Sequence, residues 1–303
     1  MKNILVIGSI NVDYVIHTER LPKLGETLTG SDFAMNFGGK GANQAMALAK
    51  TGCNVKMLGA VGKDLSGELA INNLKSFGID TTDVITVDAP TGAAVITVCG
   101  GDNHIILDIG ANAYVTPDAI AEREALFDWA DYVVMQYEIP MESVLFAARM
   151  TKKHGKKVVL NPAPVKEADP ELFRFVDMII PNEFEAQLIT GISPNDEATT
   201  KQAIRALQAL GCETVIITLG KRGCAYTEGD SIGTAGIYPV KVVDTTAAGD
   251  SFIGGLCKSL CEGKSMSDAV AYASAVSSIT VSRPGAGISI PTADEVEDFL
   301  KKI

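Results

Sequence analysis

The stretch DTTAAGDSF, residues 244–252, sets two carboxylates around a run of small residues and leads into an apolar segment with helical spacing. Backbone N–H groups in the first turn of a helix lack intrahelical acceptors and carry partial positive charge. Small residues such as Ala247, Ala248 and Gly249 let an anion approach such amides closely, which makes an anion hole. Asp250, at the helix mouth, could then take a proton from a hydroxyl while the amides stabilise a transferring phosphoryl group. The alternative is that Asp250 only caps the helix. Against it, Ser251 could cap equally well, and a cap does not require Ala-Ala-Gly before it.

Other chemistry-bearing segments follow apolar runs. In GSINVD (8–13), Asn11 and Asp13 are two apart and point the same way along an extended chain. An amide beside a carboxylate suits the paired hydroxyls of a sugar, and both residue types equally favour turns. In FGGKGANQA (37–45), Gly38, Gly39 and Gly41 permit positive φ and close approach to a ligand, while Lys40 and Asn43 add polar groups where a helix begins. A tight turn is the alternative there, and a lysine inside the glycine run favours a ligand site. NPAP (161–164) and PNEFEA (181–186) each follow a short apolar run; Asn182 and Glu185, three apart, share one face of an early helical turn. They could form a capping box or organise a hydrated Mg²⁺. TLGKRG (218–223) marks either a turn against which a nucleotide lies or a plain hairpin turn. Two common nucleotide signatures are missing. Gly263-Lys264-Ser265 matches the end of a P-loop, but Lys258 stands where glycine is required, and no G-x-G-x-x-G follows the first apolar run.

These segments need a scaffold. Continuous apolar runs at 4–8, 55–61, 132–135, 157–160, 178–180 and 214–220 suit strands buried on both faces of a parallel sheet. Helical patterns at 41–52, 67–78, 143–155 and 200–211 lie between them, most ending in glycine. The alternation predicts an α/β fold with crossover helices. Residues 13–37 and 90–110 break the pattern with turn-rich, partly alternating strands, predicting antiparallel hairpins that pair into a small sheet over one edge. After residue 249 the chain reads as mainly helical to about 282. One domain spanning 1–303 with a small lid at 13–37 and 90–110 fits better than two equal domains.

Composition narrows the function classes. The 303 residues are 47% hydrophobic, with a net charge of −11, so the chain lacks the electrostatic footprint for nucleic acid or an anionic membrane. No run reaches a membrane span or a signal-peptide core, and a cytoplasmic protein is the expectation. The six cysteines form no C-x-x-C pair and read as buried free thiols; His17, His104 and His154 are scattered, against a zinc or Ser-His-Asp site.

The motifs GSINVD, FGGKGANQA, the glutamate of MQYEIP, NPAP, PNEFEA, TLGKRG, DTTAAGDSF and SRPGAGISIP stand in the order of the ribokinase-like carbohydrate kinases, which the chain resembles from about residue 3 to 302. The resemblance implies a three-layer α/β sandwich with a mostly parallel central sheet, a β-sheet lid and dimers formed through the lids. It implies ATP-dependent phosphorylation of D-ribose at O5, or of a related acceptor such as 2-deoxyribose, fructose or a nucleoside. Asp250 would be the base, with Ala247, Ala248 and Gly249 the anion hole. Asn11, Asp13, Gly39, Lys40, Gly41, Asn43 and Glu138 would hold the sugar. Asn182 and Glu185 would serve the phosphates and Mg²⁺, and Thr218, Leu219, Gly220, Lys221, Arg222, Gly223 and Ser274 would line the ATP site together with Gly249 and Asp250. An activating K⁺ would lie between Asp244 and Ser289 and the carbonyls of Thr246, Thr280, Arg283 and Gly285. Thr246 stands where a larger apolar residue is common, and only its carbonyl is used. The intact Asp250 and Ala-Ala-Gly run count against a non-catalytic sugar-binding protein on the same scaffold.

Overall fold

The computed structural model describes residues 2–100 and 102–302; Met1, Ile303 and Gly101, the last within the second expected insertion, lie outside the described residues. The chain enters through β1 (Asn3–Ile7), continues as β2 (Asn11–His17) and returns as β3 (Ser31–Gly38) before α1 (Lys40–Lys50). Then come β4 (Asn54–Leu58), β5 (Ala60–Gly62), α2 (Leu65–Ser76), β6 (Ile85–Val87), and a hairpin of β7 (Gly92–Cys99) and β8 (Asp102–Asp108). Short helices α3 (Pro117–Ala121) and α4 (Ala125–Trp129) precede β9 (Tyr132–Met135), α5 (Met141–Lys153), β10 (Lys157–Leu160) and β11 (Met178–Ile179). The chain goes on through α6 (Glu183–Thr190), α7 (Glu197–Leu210), β12 (Thr214–Thr218), β13 (Cys224–Glu228) and β14 (Ser231–Ala235). It closes with α8 (Ala248–Cys261), α9 (Met266–Val281) and α10 (Ala293–Leu300).

Eight strands form one sheet in the order β14-β13-β12-β11-β10-β9-β1-β4. All neighbours from β12 to β4 are parallel, and only the β12–β13–β14 ribbon is antiparallel. The unbroken apolar runs have their explanation here, since both sheet faces are covered. Leu5, Ile7, Val133, Met135 and Leu160 pack with residues of α5 and α7 on one side. Ile4, Val6, Val134 and Ile216 pack with α1, α8 and α9 on the other. The result is the expected three-layer α/β sandwich. No helix among the described residues is long and apolar enough to cross a membrane.

A second sheet has the order β3-β2-β7-β8. Each insertion forms its antiparallel hairpin, and the two hairpins join through a parallel pairing of Asn11–His17 with Gly92–Val98. β2 follows β1 after only three residues, so this sheet grows directly from the C-terminal end of a strand inside the main one.

Helices α1 and α8 run side by side in the same sense. Gln44 meets Asp250 near their starts, and Ala47 faces Gly254 further along. A Cβ on Gly254 would come within 2.5 Å of the Ala47 Cβ, so this glycine permits the close approach that brings both helix N-termini to one place.

Candidate active site

The N-termini of α1 and α8 open into a cavity of about 190 Å³ lined by Lys40, Asn182, Glu185, Thr218, Ala247, Ala248, Gly249 and Asp250, with Asn161 and Thr245 among the remaining lining residues. Eight residues singled out from separate sequence segments therefore share one space.

At the mouth of α8, Ala247 adopts a left-handed conformation with φ 59°, unusual for a residue with a side chain. The Ala248 N–H closes a turn onto the Thr245 carbonyl at 3.2 Å. The amides of Gly249 and Asp250, in the first turn, have no carbonyl four residues back within the helix. Asp250 is 6% exposed. Its Oδ1 accepts from Gln44 Nε2 at 2.9 Å and its Oδ2 from Asn43 Nδ2 at 3.4 Å. Burial pushes its pKa up, against the pull of Lys40 and the Gln44 donor.

The start of α1 supplies the facing groups. Gly39 adopts φ 88°, and a Cβ there would press to 2.8 Å of the Asn11 nitrogen. This lets Lys40 begin the helix directly against the turn after β1. Burial lowers Lys40, but the charges of Asp250, Glu138 and Glu185 outweigh it and raise the pKa. Glu138 Oε2 accepts from the Ser9 hydroxyl at 2.5 Å and from the Lys40 amide at 2.9 Å. Asn43 Oδ1 is buried and has no hydrogen-bond partner. Asn11 Oδ1 accepts from Asn112 Nδ2 at 2.7 Å. Asp13 is pushed up to about 6, first by burial and then by the charge of Glu138. Lys40 thus stands among the carboxylates of Asp250, Glu138 and Glu185, and with the unsatisfied Asn43 oxygen at the start of the same helix they make a donor and acceptor set suited to several hydroxyls.

On the far wall, Asn182 and Glu185 do form a capping box. The Glu185 amide donates to Asn182 Oδ1 at 2.8 Å, and the Asn182 amide donates to Glu185 Oε2 at 2.8 Å. The same pair lines the cavity, so the capping box and a place in the cavity wall are compatible. Burial raises Glu185. Of the 218–223 segment only Thr218 reaches the cavity. Leu219, Gly220, Lys221, Arg222 and Gly223 form a tight 3₁₀ turn beyond it, and Arg222 is tied to Glu183 and to the carbonyls of Pro194 and Asn195. Ser274 is buried in α9 and does not line the cavity.

Asp244 lies behind the Ala-Ala-Gly turn. Its Oδ1 accepts from the Thr246 amide at 2.9 Å and its Oδ2 from the Gly285 amide at 3.0 Å. Burial pushes this carboxyl up, and those donors more than reverse it, holding it below the usual range. Arg283 turns away to Glu295, while the buried Ser289 donates to the Ala286 carbonyl at 2.6 Å and the Thr280 carbonyl accepts from the Arg283 amide.

Five site residues were not assigned from the sequence: Ser9, Gln44, Asn112, Gln136 and Asn161. Four of them sit inside or beside motifs already singled out. For Gln136 the signal was a polar residue at the end of an apolar strand. Asn112 carried none, because its partners are about 100 positions away.

Known proteins resemble this chain over nearly its whole length. The profile of the pfkB family carbohydrate kinases matches residues 1–293. A ribokinase of Haemophilus influenzae is 40% identical over 302 residues, covering 99% of both chains. A deoxyribokinase of Salmonella typhimurium is 35% identical over 98% of both chains. The structure of an Arabidopsis thaliana ribokinase complexed with ribose and ATP superimposes with a TM-score of 0.94 at 33% identity over 99% of both chains. A buried aspartate at one helix mouth and a lysine at the start of a neighbouring helix thus lie within a match that spans nearly the whole chain: the chain belongs to the pfkB family of carbohydrate kinases.

Proposed function

We propose that this protein transfers the γ-phosphoryl group of ATP to O5 of D-ribose, giving ADP and D-ribose 5-phosphate. The observation that carries the reading is Asp250: a buried carboxylate in the first turn of α8, in the same cavity as Lys40. Asp250 takes the proton of the O5 hydroxyl as that oxygen attacks phosphorus. The free amides of the α8 first turn, reached past Ala247 and Gly249, stabilise the charge that develops on the transferring group. Ala248's own N–H is engaged by Thr245, which shifts the anion-hole role toward the amides of Gly249 and Asp250. Lys40 holds the sugar and phosphoryl oxygens between the carboxylates. Asn11, Asp13, Gly39, Gly41, Asn43 and Glu138 bind the sugar hydroxyls, and the four-stranded sheet is the lid over them.

Thr218 and the 219–223 turn, with Ser274, border the nucleotide. Mg²⁺, when bound, would supply charge neutralisation at the phosphates. Glu185 fits a role beside it, because its buried carboxylate lines the cavity and Lys40 is the charge that draws its pKa down against burial. For K⁺, Asp244 fits: uncharged donors hold its carboxyl below the usual range, and it bonds the amide of Gly285, one of the residues whose carbonyls would complete the set. ATP as co-substrate supports a cytoplasmic location, and the lid sheets support a homodimer.

The test is ADP release with ATP and a panel of D-ribose, 2-deoxy-D-ribose, D-fructose and adenosine. The reading expects the highest kcat/KM for D-ribose. A preference for 2-deoxyribose, the acceptor named for the Salmonella relative, would replace it.

A further inference from the structure

Four buried amide and carboxyl side chains form a connected chain that ends on Asp250. Gln136 Nε2 donates to Gln44 Oε1 at 2.6 Å. Gln44 Nε2 donates to Asp250 Oδ1 at 2.9 Å and to Asn161 Oδ1 at 3.2 Å. Asn161 Nδ2 donates to the Ile180 carbonyl at 2.9 Å. Gln44 and Gln136 are completely buried, and Asn161 is 9% exposed.

The sense of this chain follows from one atom that cannot flip. The Ile180 carbonyl only accepts, so Asn161 must turn its Nδ2 to it and its Oδ1 to Gln44. Gln44 then faces two acceptors, Asn161 Oδ1 and the Asp250 carboxylate, and must present Nε2. Its Oε1 points the other way and requires the Nε2 of Gln136. The residual oxygen, Gln136 Oε1, is left buried without a donor. It occupies the space beside Gly8, where a Cβ would stand 2.1 Å from it. An orphaned acceptor at the remote end is the cost of placing a donor at the catalytic end.

At Asp250 the two oxygens are unequal. Oδ1 holds the short bond from Gln44, while Oδ2 has only the 3.4 Å contact from Asn43. We propose that Gln44, backed by Gln136, is a positioning residue for the phosphoryl transfer: it anchors Asp250 by Oδ1 and leaves Oδ2 to face the reacting hydroxyl. The inference rests on the reading of Asp250 as the base. Gln44 touches neither sugar nor nucleotide in this role and acts through the carboxylate.

Gln44→Leu keeps similar bulk and removes the donor. It should lower kcat about 10- to 100-fold, as expected for one bond to a charged group, with KM for sugar and ATP within about twofold. The titration midpoint of the Asp250 carboxyl, followed by ¹³C NMR and assigned with Asp250→Asn, should rise by about one pH unit. Gln136→Leu, which also removes the orphaned oxygen, should shift the same midpoint in the same direction by less, and it carries the test if Gln44→Leu does not fold. A midpoint that stays at the wild-type position in the folded variant overturns the proposal, even if thermal stability falls. The titration reads the amide chain whether or not any sugar is turned over, so a failure of the kinase reading in the sugar panel is a separate result.

Discussion

Asp244 Oδ2 accepts the amide hydrogen of Gly285 at 3.0 Å, across 41 residues of sequence. This single contact joins the segment entering α8 to the loop leaving α9, and its other oxygen binds the Thr246 amide one residue before Ala247. A cation held by the 283–289 loop would therefore act, through Asp244, on the turn that shapes the helix mouth.

K⁺ in place of Na⁺ should raise kcat, since a cation of fitting size would brace that loop. Asp244→Ala should remove the difference between the salts and cost about 1 kcal/mol of stability, a half-exposed carboxylate losing its hydrogen bonds. Initial rates in matched KCl and NaCl, with melting curves, check both; equal rates for the wild type in the two salts would sink the cation site.

Asp250→Asn keeps size and donors near Gln44 but cannot take a proton. The expected result is a loss of about 10²- to 10⁴-fold in kcat with the sugar Kd almost unchanged. Calorimetric sugar binding beside steady-state rates separates this from a binding role, which would show as weakened affinity with turnover retained.

Asp13 gives a pH signature. Its folded pKa of about 6 stands above the ordinary 3.8, so the folded state holds the proton more tightly than the unfolded chain. The stability it contributes is fully present below pH 3.8 and is lost as pH rises through 6. Asp13→Asn should therefore stabilise the sugar-free protein at pH 8 by about 1–2 kcal/mol, less than the full shift implies because the residue keeps some contact with solvent. The gain should vanish near pH 4, and the variant should bind sugar more weakly. Denaturant unfolding at the two pH values decides it; an equal ΔΔG at both contradicts the assignment.

The lid sheet bears on assembly. In its register Met35, Tyr14, Val95 and Ile106 line one face, opposite the face that carries Asp13. Ile106 is 74% exposed and Val95 50%. A homodimer through this sheet would cover them, so Ile106→Asp should shift sedimentation from dimer to monomer. A wild-type protein that sediments as a monomer at micromolar concentration would end the proposal.

Much of this architecture was written locally. Runs such as ILVI and YVVM are apolar at every position because both sheet faces are buried, and that pattern survives without tertiary knowledge. The hairpins at 13–37 and 90–110 were visible from alternation. Their parallel joint at β2 and β7 was not, because it depends on where the strands leave the main body. The same limit applies within the site. Asp250 and Lys40 announce themselves by charge beside small residues, whereas Gln44, Gln136 and Asn112 act through partners 92 to 206 positions away. At 218–223 the composition suits a ligand, and what it could not show is that Arg222 is held by Glu183 and two carbonyls.

The left-handed Ala247 has its own implication. Glycine would occupy φ 59° with about 1 kcal/mol less steric penalty, so the methyl group is a thermodynamic burden. Its compensation is a narrower set of shapes open to the turn. If the turn cradles phosphate as proposed, folding rather than each turnover would bear the cost of shaping it.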